Sequence, residues 1–313
     1  MYWIEEDWIM MYYDRLHTKR KSLREVLTEK AVFAPCVYNC FTAQIVEHLG
    51  FDAMCFSGAY FASSYVGVPD IGLVTPTEVK NMVSNITKVS NLPMIVDMDT
   101  GYGNELNAIR TAVDFAEAGA MALHLEDQVF PKRCGHLNGN KVVPRDEYIR
   151  KVKAVADALK GSDCLLIART DAALEYGVEE AIERNKRSLE AGADIAFTEG
   201  TRSIADIEKV AREVDGWNMF DMCKGGASPD VPFEDLVQMG YRLVTCPTVC
   251  SIVCSTYDQV VGKAYQLKND GFVAEYDATP ATLFNTLGIN AWMEMGQKYD
   301  PTMQDATITK KLD

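Results

Sequence analysis

Eight short apolar runs recur along the chain, each followed by a longer amphipathic stretch. They are VFAPCV (32–37), DAMCFSG (52–58), PMIVDMD (93–99), MALHLED (121–127), CLLIART (164–170), IAFTEG (195–200), NMFDMC (218–223) and LVTCPT (243–248). Strands that are apolar at consecutive positions are buried on both faces, the condition of a parallel sheet covered by crossover helices. Eight such units close a (β/α)8 barrel of the TIM type. With 313 residues and 48% hydrophobic composition, the chain has enough apolar surface to fill one.

The intervening stretches carry helix punctuation. Thr75-Pro76-Thr77-Glu78 sets a proline at the first helical position, between a capping threonine and a glutamate three residues after it. Pro144 opens a helix running to Gly161, and Pro232 opens another. A degenerate repeat, EHLGFDAM (47–54), EAGAMAL (117–123), EAGADIAF (190–197) and QMGYRLV (238–244), places a helix-ending glycine just before a strand. Past residue 249 the pattern is helical, over 250–269 and roughly 279–296. The expectation is one barrel domain over 1–313, with an N-terminal extension over 1–21 and a helical tail over 249–313. In the extension, Met10, Met11, Tyr12 and Tyr13 read as packing or subunit-contact surface.

A net charge of −14 argues against nucleic acid or an anionic membrane as partner, and an anionic substrate would need a locally positive pocket. The nine cysteines, Cys36, Cys40, Cys55, Cys134, Cys164, Cys223, Cys246, Cys250 and Cys254, are odd in number and lack paired metal spacing. Reduced thiols in a cytoplasmic protein fit better than disulfides or structural zinc. The opening residues MYWIEEDWIMMYYDRLHTKR do not read as a secretory signal, and no apolar run reaches spanning length.

In a TIM barrel the chemistry sits at the carboxyl ends of the strands. Here these ends carry Ser57-Gly58-Ala59, Asp97-Met98-Asp99, His124-Leu125-Glu126-Asp127, Arg169-Thr170-Asp171, Glu199 and Asp221. Strand residues two apart share a face, which pairs Asp97 with Asp99 and His124 with Glu126. Three carboxylates at one mouth repel unless a cation neutralises them, and hard oxygen ligands favour Mg²⁺ or Mn²⁺. The long polar segment from Gln128 to Val143 has the profile of a lid. Within it, Lys132, Arg133 and His136 flank Cys134 and are expected to lower its thiol pKa. Of the remaining thiols, Cys36, Cys55, Cys164, Cys223 and Cys246 read as buried strand packing.

Together, SGAYFASSYVGVPDIGLVT, DMDTGYG, HLEDQVFPKRCGH, IARTDA and FTEG resemble the isocitrate lyase / phosphoenolpyruvate mutase superfamily across residues 22–270. The Lys-Arg-Cys-Gly-His motif matches its carbon–carbon lyase branch, which includes 2-methylisocitrate lyase, 2,3-dimethylmalate lyase and oxaloacetate acetylhydrolase. The resemblance implies that Asp97 and Asp99 bind Mg²⁺, with Asp70 and Glu126 supporting it through water. It implies that backbone amides at Ser57, Gly58 and Ala59 hold a substrate carboxylate, and that Tyr38, Gly135 and His136 line the pocket. Arg169 would neutralise a developing enolate, His124 and Glu199 would orient substrate, and Cys134 would transfer the proton. It also implies a homotetramer in which the C-terminal helix packs on a neighbouring subunit.

Three positions depart from the lyase pattern. Asp221 stands where the lyases carry asparagine, and its carboxylate disfavours an anionic substrate group unless protonated or paired with Lys224, which replaces a glutamate. Ile252 stands where methylisocitrate lyases carry an arginine, so a tricarboxylate would lose a contact worth about 1.5–3 kcal/mol. The leading expectation is a Mg²⁺-dependent lyase acting on a small 2-hydroxy dicarboxylate of the 2,3-dimethylmalate kind. Behind it stand an oxaloacetate hydrolase or decarboxylase, a 2-methylisocitrate lyase, and a homologue that has lost turnover.

Overall fold

The computed structural model describes residues 20–135, 137, 139–272 and 279–303. His136, His17 and nearly all of the N-terminal extension lie outside them. Eight parallel strands close a barrel in sequence order, β1 pairing with β8. They are β1 Val32–Val37, β2 Met54–Phe56, β3 Met94–Asp97, β4 Ala122–Glu126, β5 Leu165–Thr170, β6 Ile195–Thr198, β7 Trp217–Asp221 and β8 Tyr241–Cys246. Each falls within or across an apolar run read from the sequence.

Alternation along the strands divides the core in two. Val32, Ala34, Cys36, Ile95, Ala122, Leu165, Ile167, Ile195, Phe197 and Leu243 fill the barrel interior, joined at the amino-terminal end by Leu23, Val26 and Leu27 of helix α1 (Leu23–Glu29). The intervening residues, such as Val96, Leu123, Leu125, Leu166 and Ala168, face outward against the helices. The same phase carried one step further turns Asp97, Glu126 and Arg169 inward at the barrel mouth.

The crossover helices begin and end where the chemistry of their termini directs. After α2 (Cys40–His48), a four-residue α3 (Gly58–Phe61) runs into a π turn over 62–66. Thr75 and Glu78 form a reciprocal capping box on α4 (Pro76–Val89). Further round lie α5 (Glu105–Glu117), α6 (Arg145–Leu159), α7 (Ala172–Tyr176), α8 (Val178–Glu190), α9 (Ile204–Glu213) and α10 (Phe233–Met239). Gly50, Gly119, Gly192 and Gly240 of the degenerate repeat all take positive φ, from 79° to 112°, a region costly for any residue with a Cβ.

The tail differs in one respect from the sequence expectation. Helix α11 covers Thr248–Leu267, close to the expected span, but the segment at 279–296 is two helices, α12 (Pro280–Thr286) and α13 (Ile289–Tyr299). Gly288, at φ 68°, turns the chain between them. No helix among the described residues is long and apolar enough to cross a membrane.

Candidate active site

The strand ends and the lid enclose a cavity of about 130 Å³ at the barrel mouth. Its lining includes Ser57, Ala59, Asp70, Asp97, His124, Cys134, Gly135, Arg169, Glu199 and Asp221. Cys36, Cys55, Tyr60, Phe197 and Met219 supply its less polar wall. Gly58 lies behind it: a Cβ there would meet Asp97 Oδ2 at 2.8 Å, so only glycine lets the backbone approach that carboxylate. Tyr38 is not part of the wall; its ring packs beside Tyr60, 6.4 Å between centroids.

The lid lies closed. Its base is an antiparallel bridge between Gln128 and Val142, with Val129 N donating to Lys141 O at 2.8 Å. Gln128 Nε2 donates to Arg133 O at 2.8 Å, and Asn140 Nδ2 to Cys134 O at 3.2 Å. Cys134 N donates to Asp70 O at 3.1 Å, tying the lid to the loop that follows the π turn. Gly135 sits so deep that a Cβ would meet Arg169 Nη2 at 2.4 Å and Glu199 Cγ at 2.7 Å.

Lys132 is where the structure departs most from the sequence expectation. Its ammonium is not spent on the neighbouring thiol; it lies buried between Asp70 Oδ1 at 2.6 Å and Asp99 Oδ1 at 2.8 Å. Burial works against its charge, but Asp99, Glu126, Asp97 and Asp70 outweigh it and hold the pKa well above the ordinary lysine value. Burial likewise pushes the Asp99 carboxyl up to about 6 despite Lys132. For Asp97 the balance reverses: burial is the largest influence, yet His124, Lys132 and Arg169 together hold it below the usual carboxylate range.

Arg169 is fixed by a bidentate pair with Asp171, Nε to Oδ2 at 2.9 Å and Nη2 to Oδ1 at 3.1 Å. Glu126 Oε2 and Glu199 Oε2 stand further off, at 3.5 and 3.6 Å from the guanidinium. Among the described residues, both Glu126 oxygens are buried without a hydrogen-bond partner, and burial pushes this carboxyl well above its ordinary pKa. Asp127 turns away from the cavity, accepting from Thr170 Oγ1, Asp171 N and Arg184 Nη1 at 2.6, 2.9 and 3.0 Å. Among the described residues, no three His, Cys, Asp or Glu groups stand close enough to ligate one ion together.

His124 Nδ1 lies 3.5 Å from Asp97 Oδ1. Burial opposes its protonation, but Asp97 and then Cys55 outweigh burial and raise the imidazole pKa. Asp221 accepts a hydrogen bond from Thr245 Oγ1 at 2.6 Å, while Lys224 pairs with Asp230 at 3.6 Å. The Asp221–Lys224 pairing considered from the sequence is therefore not what Lys224 does. Cys223 is half-buried, follows β7 and lines the cavity, and Cys246 is half-buried at the end of β8; neither is the fully buried packing residue expected. Ile252 is exposed on α11 and does not line the cavity.

Sequence reading missed the Lys132 counterion, the Asp171 anchor of Arg169 and the Gln128 tie across the lid base. The alternation rule, applied to Cys36 and Cys55, could have found one further feature: two thiols facing into the same cavity.

A closed eight-stranded barrel with carboxylates, a buried arginine and a thiol-bearing lid at its carboxyl end defines an enzyme of the TIM-barrel class. The phosphoenolpyruvate phosphomutase family pattern matches residues 23–264. The chain is 36% identical to 2,3-dimethylmalate lyase of Eubacterium barkeri over 88% of its own length and 96% of that protein. It is 38% identical to 2-methylisocitrate lyase of Aeropyrum pernix, covering 76% of each chain. A structure of oxaloacetate acetylhydrolase with 3,3-difluorooxalacetate superposes with TM-score 0.85 at 30% identity, over 90% of this chain and 96% of that one. The chain belongs to the phosphoenolpyruvate mutase / isocitrate lyase superfamily and is one of its lyases.

Proposed function

We propose that this enzyme cleaves the carbon–carbon bond of a small 2-hydroxy dicarboxylate of the 2,3-dimethylmalate kind, with Mg²⁺ or Mn²⁺ as cofactor. One observation carries the reading: Cys134 and Gly135 of the closed lid line the same small cavity as Asp97, His124 and Arg169. A proton-transferring thiol and a charge-stabilising guanidinium then face one bound molecule. The relative that spans nearly all of the chain, at 36% identity, is a 2,3-dimethylmalate lyase.

The donor set, carboxylate oxygens at the barrel mouth, fits a hard divalent ion. Among the described residues, neither buried oxygen of Glu126 accepts a hydrogen bond, which leaves both for an ion or its water. Asp97 and Asp99 would bind the ion, with Asp70 and Glu126 supporting it through water. Bound there, the ion supplies a Lewis acid for the substrate carboxylate and the oxygen that becomes the oxo group. The Gly58 and Ala59 amides, in the first turn of α3, lack intrahelical partners and would hold a substrate carboxylate.

In the cleavage direction the 2-hydroxyl gives its proton to the Glu199 carboxylate, which lines the cavity, and its oxygen forms the carbonyl. The bond between the two central carbons breaks, and its electron pair becomes an enolate on the departing carboxylate fragment. Arg169 stabilises that charge, oriented by Asp171 and shielded under the lid. His124 and Glu199 hold substrate oxygens, and Cys134 gives its proton to the enolate carbon. Lys132 keeps the lid closed by neutralising Asp70 and Asp99.

A second reading, hydrolysis of a 2-oxo diacid such as oxaloacetate, is favoured by the fold match to oxaloacetate acetylhydrolase. Proton NMR of the protein with Mg²⁺ and 2,3-dimethylmalate, citramalate, oxaloacetate or 2-methylisocitrate separates the readings by product. An oxo acid from a dicarboxylate supports the lyase, acetate plus oxalate supports the hydrolase, and turnover of 2-methylisocitrate alone overturns both. We further propose a cytoplasmic homotetramer with exchanged C-terminal helices. The 70% and 73% exposure of Tyr257 and Tyr265 on α11 supports it, and light scattering across a dilution series tests it.

A further inference from the structure

The reaction proposed above uses one thiol, yet the barrel mouth holds several. Cys36 on β1 and Cys55 on β2 are direct register partners. Both side chains lie on the inward phase of their strands, more than nine-tenths buried, and both line the cavity. Neighbouring strands run about 4.8 Å apart, and a disulfide spans Cα separations of about 4.4–6.8 Å. Two inward thiols at facing positions therefore meet the backbone separation that a disulfide needs.

We propose that Cys36 and Cys55 are an oxidative modification site, joined into a reversible disulfide on the cavity wall by a small hydroperoxide that enters when the lid opens. The Cys55 sulfur attacks the terminal peroxide oxygen, the O–O bond breaks, and alkoxide leaves with a proton as alcohol (water, for hydrogen peroxide). Cys55 is now a sulfenic acid. The Cys36 sulfur attacks it, the S–O bond breaks, and hydroxide leaves with the Cys36 proton as water. Two thiols and one hydroperoxide become one disulfide, one alcohol and one water.

His124, on the cavity wall with Cys55 and acting on its thiol, makes Cys55 the attacking sulfur. The neighbouring Cys36 thiol, and then His124, outweigh burial and bring the Cys55 thiol down to about 7. The Cys55 thiol, then burial, pushes Cys36 well above the ordinary thiol value. Cys36 is thus the resolving partner. Cys250 is a competitor within reach, since its Sγ donates to Cys36 O at 3.4 Å. The cross-link would take the Cys55 thiol from His124, and so disturb the cavity on the side where His124 meets Asp97.

The test treats the reduced, full-length protein with hydrogen peroxide, blocks remaining thiols, and maps peptides after cleavage on the amino side of Asp52, which separates the two cysteines. It is run on wild type and on Cys134→Ser, so oxidation of the lid thiol is scored apart from the pair. The expected result in both is a Cys36–Cys55 peptide two hydrogens lighter than the reduced pair and restored by dithiothreitol. A peptide joining Cys36 to Cys250 or to Cys40, or no cross-link when other thiols are oxidised, overturns the proposal. Phenylarsine oxide, which needs two adjacent thiols, gives a second readout that uses no oxidant. One equivalent retained in Cys134→Ser and lost in Cys55→Ser supports the pair; equal uptake by both refutes it. Neither result depends on which acid the enzyme cleaves.

Discussion

Replacing Gly135 by alanine tests whether closure of the lid, rather than mere presence of its thiol, makes the site competent. The added Cβ would stand 2.4 Å from Arg169 Nη2 and 2.7 Å from Glu199 Cγ. Neither neighbour can yield cheaply. The guanidinium is clamped by Asp171, and Glu199 Oε1 accepts from Gly200 N at 2.9 Å, which fixes the side chain whose Cγ is struck. To reach ordinary contact the lid backbone must withdraw by about 1 Å, carrying Cys134 with it. A 1 Å misplacement of a reacting group costs about 100-fold in rate, or about 2.7 kcal/mol of barrier. The assay is steady-state turnover of the best substrate alongside thermal melting. The expected result is a kcat about 100-fold down with a melting midpoint close to wild type, because the loop lies outside the packed core. An unchanged kcat, with wild-type stability, would refute the argument that Gly135 sets the depth of closure.

Four further outcomes follow from the geometry. Lys132→Met removes the cation between Asp70 and Asp99, so metal-free protein should be cleaved faster by protease within residues 128–143, and added Mg²⁺ should slow that cleavage. Chelator should abolish turnover, with Mg²⁺ or Mn²⁺ restoring it; full activity in excess chelator would remove the metal from the proposal. Tyr148, fully buried, sets its hydroxyl between Leu125 O at 2.9 Å and Arg169 O at 2.7 Å, and Tyr148→Phe should cost about 1 kcal/mol in urea unfolding. Burial raises the Glu47 carboxyl against the Asn91 N–H that it accepts, so the native state binds its proton at higher pH than the unfolded chain does. That contribution is full below the unfolded pKa and is lost as pH rises through the native one. Wild type should therefore gain stability relative to Glu47→Gln as pH falls from 7 toward 4, and the opposite trend would contradict the shift.

The barrel was legible because its signal is repeated. Eight consecutive apolar runs and four glycine-ended helices make mutually consistent statements, and strand alternation then places Asp97, Glu126 and Arg169 at one mouth. The site was legible as a set of residues but not as a set of contacts. Lys132 was assigned to Cys134 because the two are near in sequence, whereas its partners are Asp70, some 60 residues earlier, and Asp99. Asp127 and Glu126 are adjacent in HLED, yet alternation turns one to Arg184 and the other to the barrel interior. Cys36 and Cys55 each looked like ordinary packing in their own strand; only the register between strands shows that they face one another. The break at Gly288 was missed because helical periodicity continues on both sides of it.

The lid has a hinge and a latch built from different parts of the chain. The hinge is the Gln128–Val142 bridge, supported by Val142 N donating to Glu175 Oε2 at 3.1 Å; it belongs to β4 and α7. The latch is the Lys132 and Cys134 contact with Asp70, in a loop on the other side of the mouth, where Gly72 leaves room for Phe130. Opening can therefore release the latch while every hinge bond survives, so the lid swings as a piece instead of melting. How often it swings is then set by the loop around Asp70 and Gly72, which lies some 60 residues from the thiol it admits or excludes. A change at Gly72, which does not line the cavity, would act on that latch and leave Arg169, His124 and Cys134 in place.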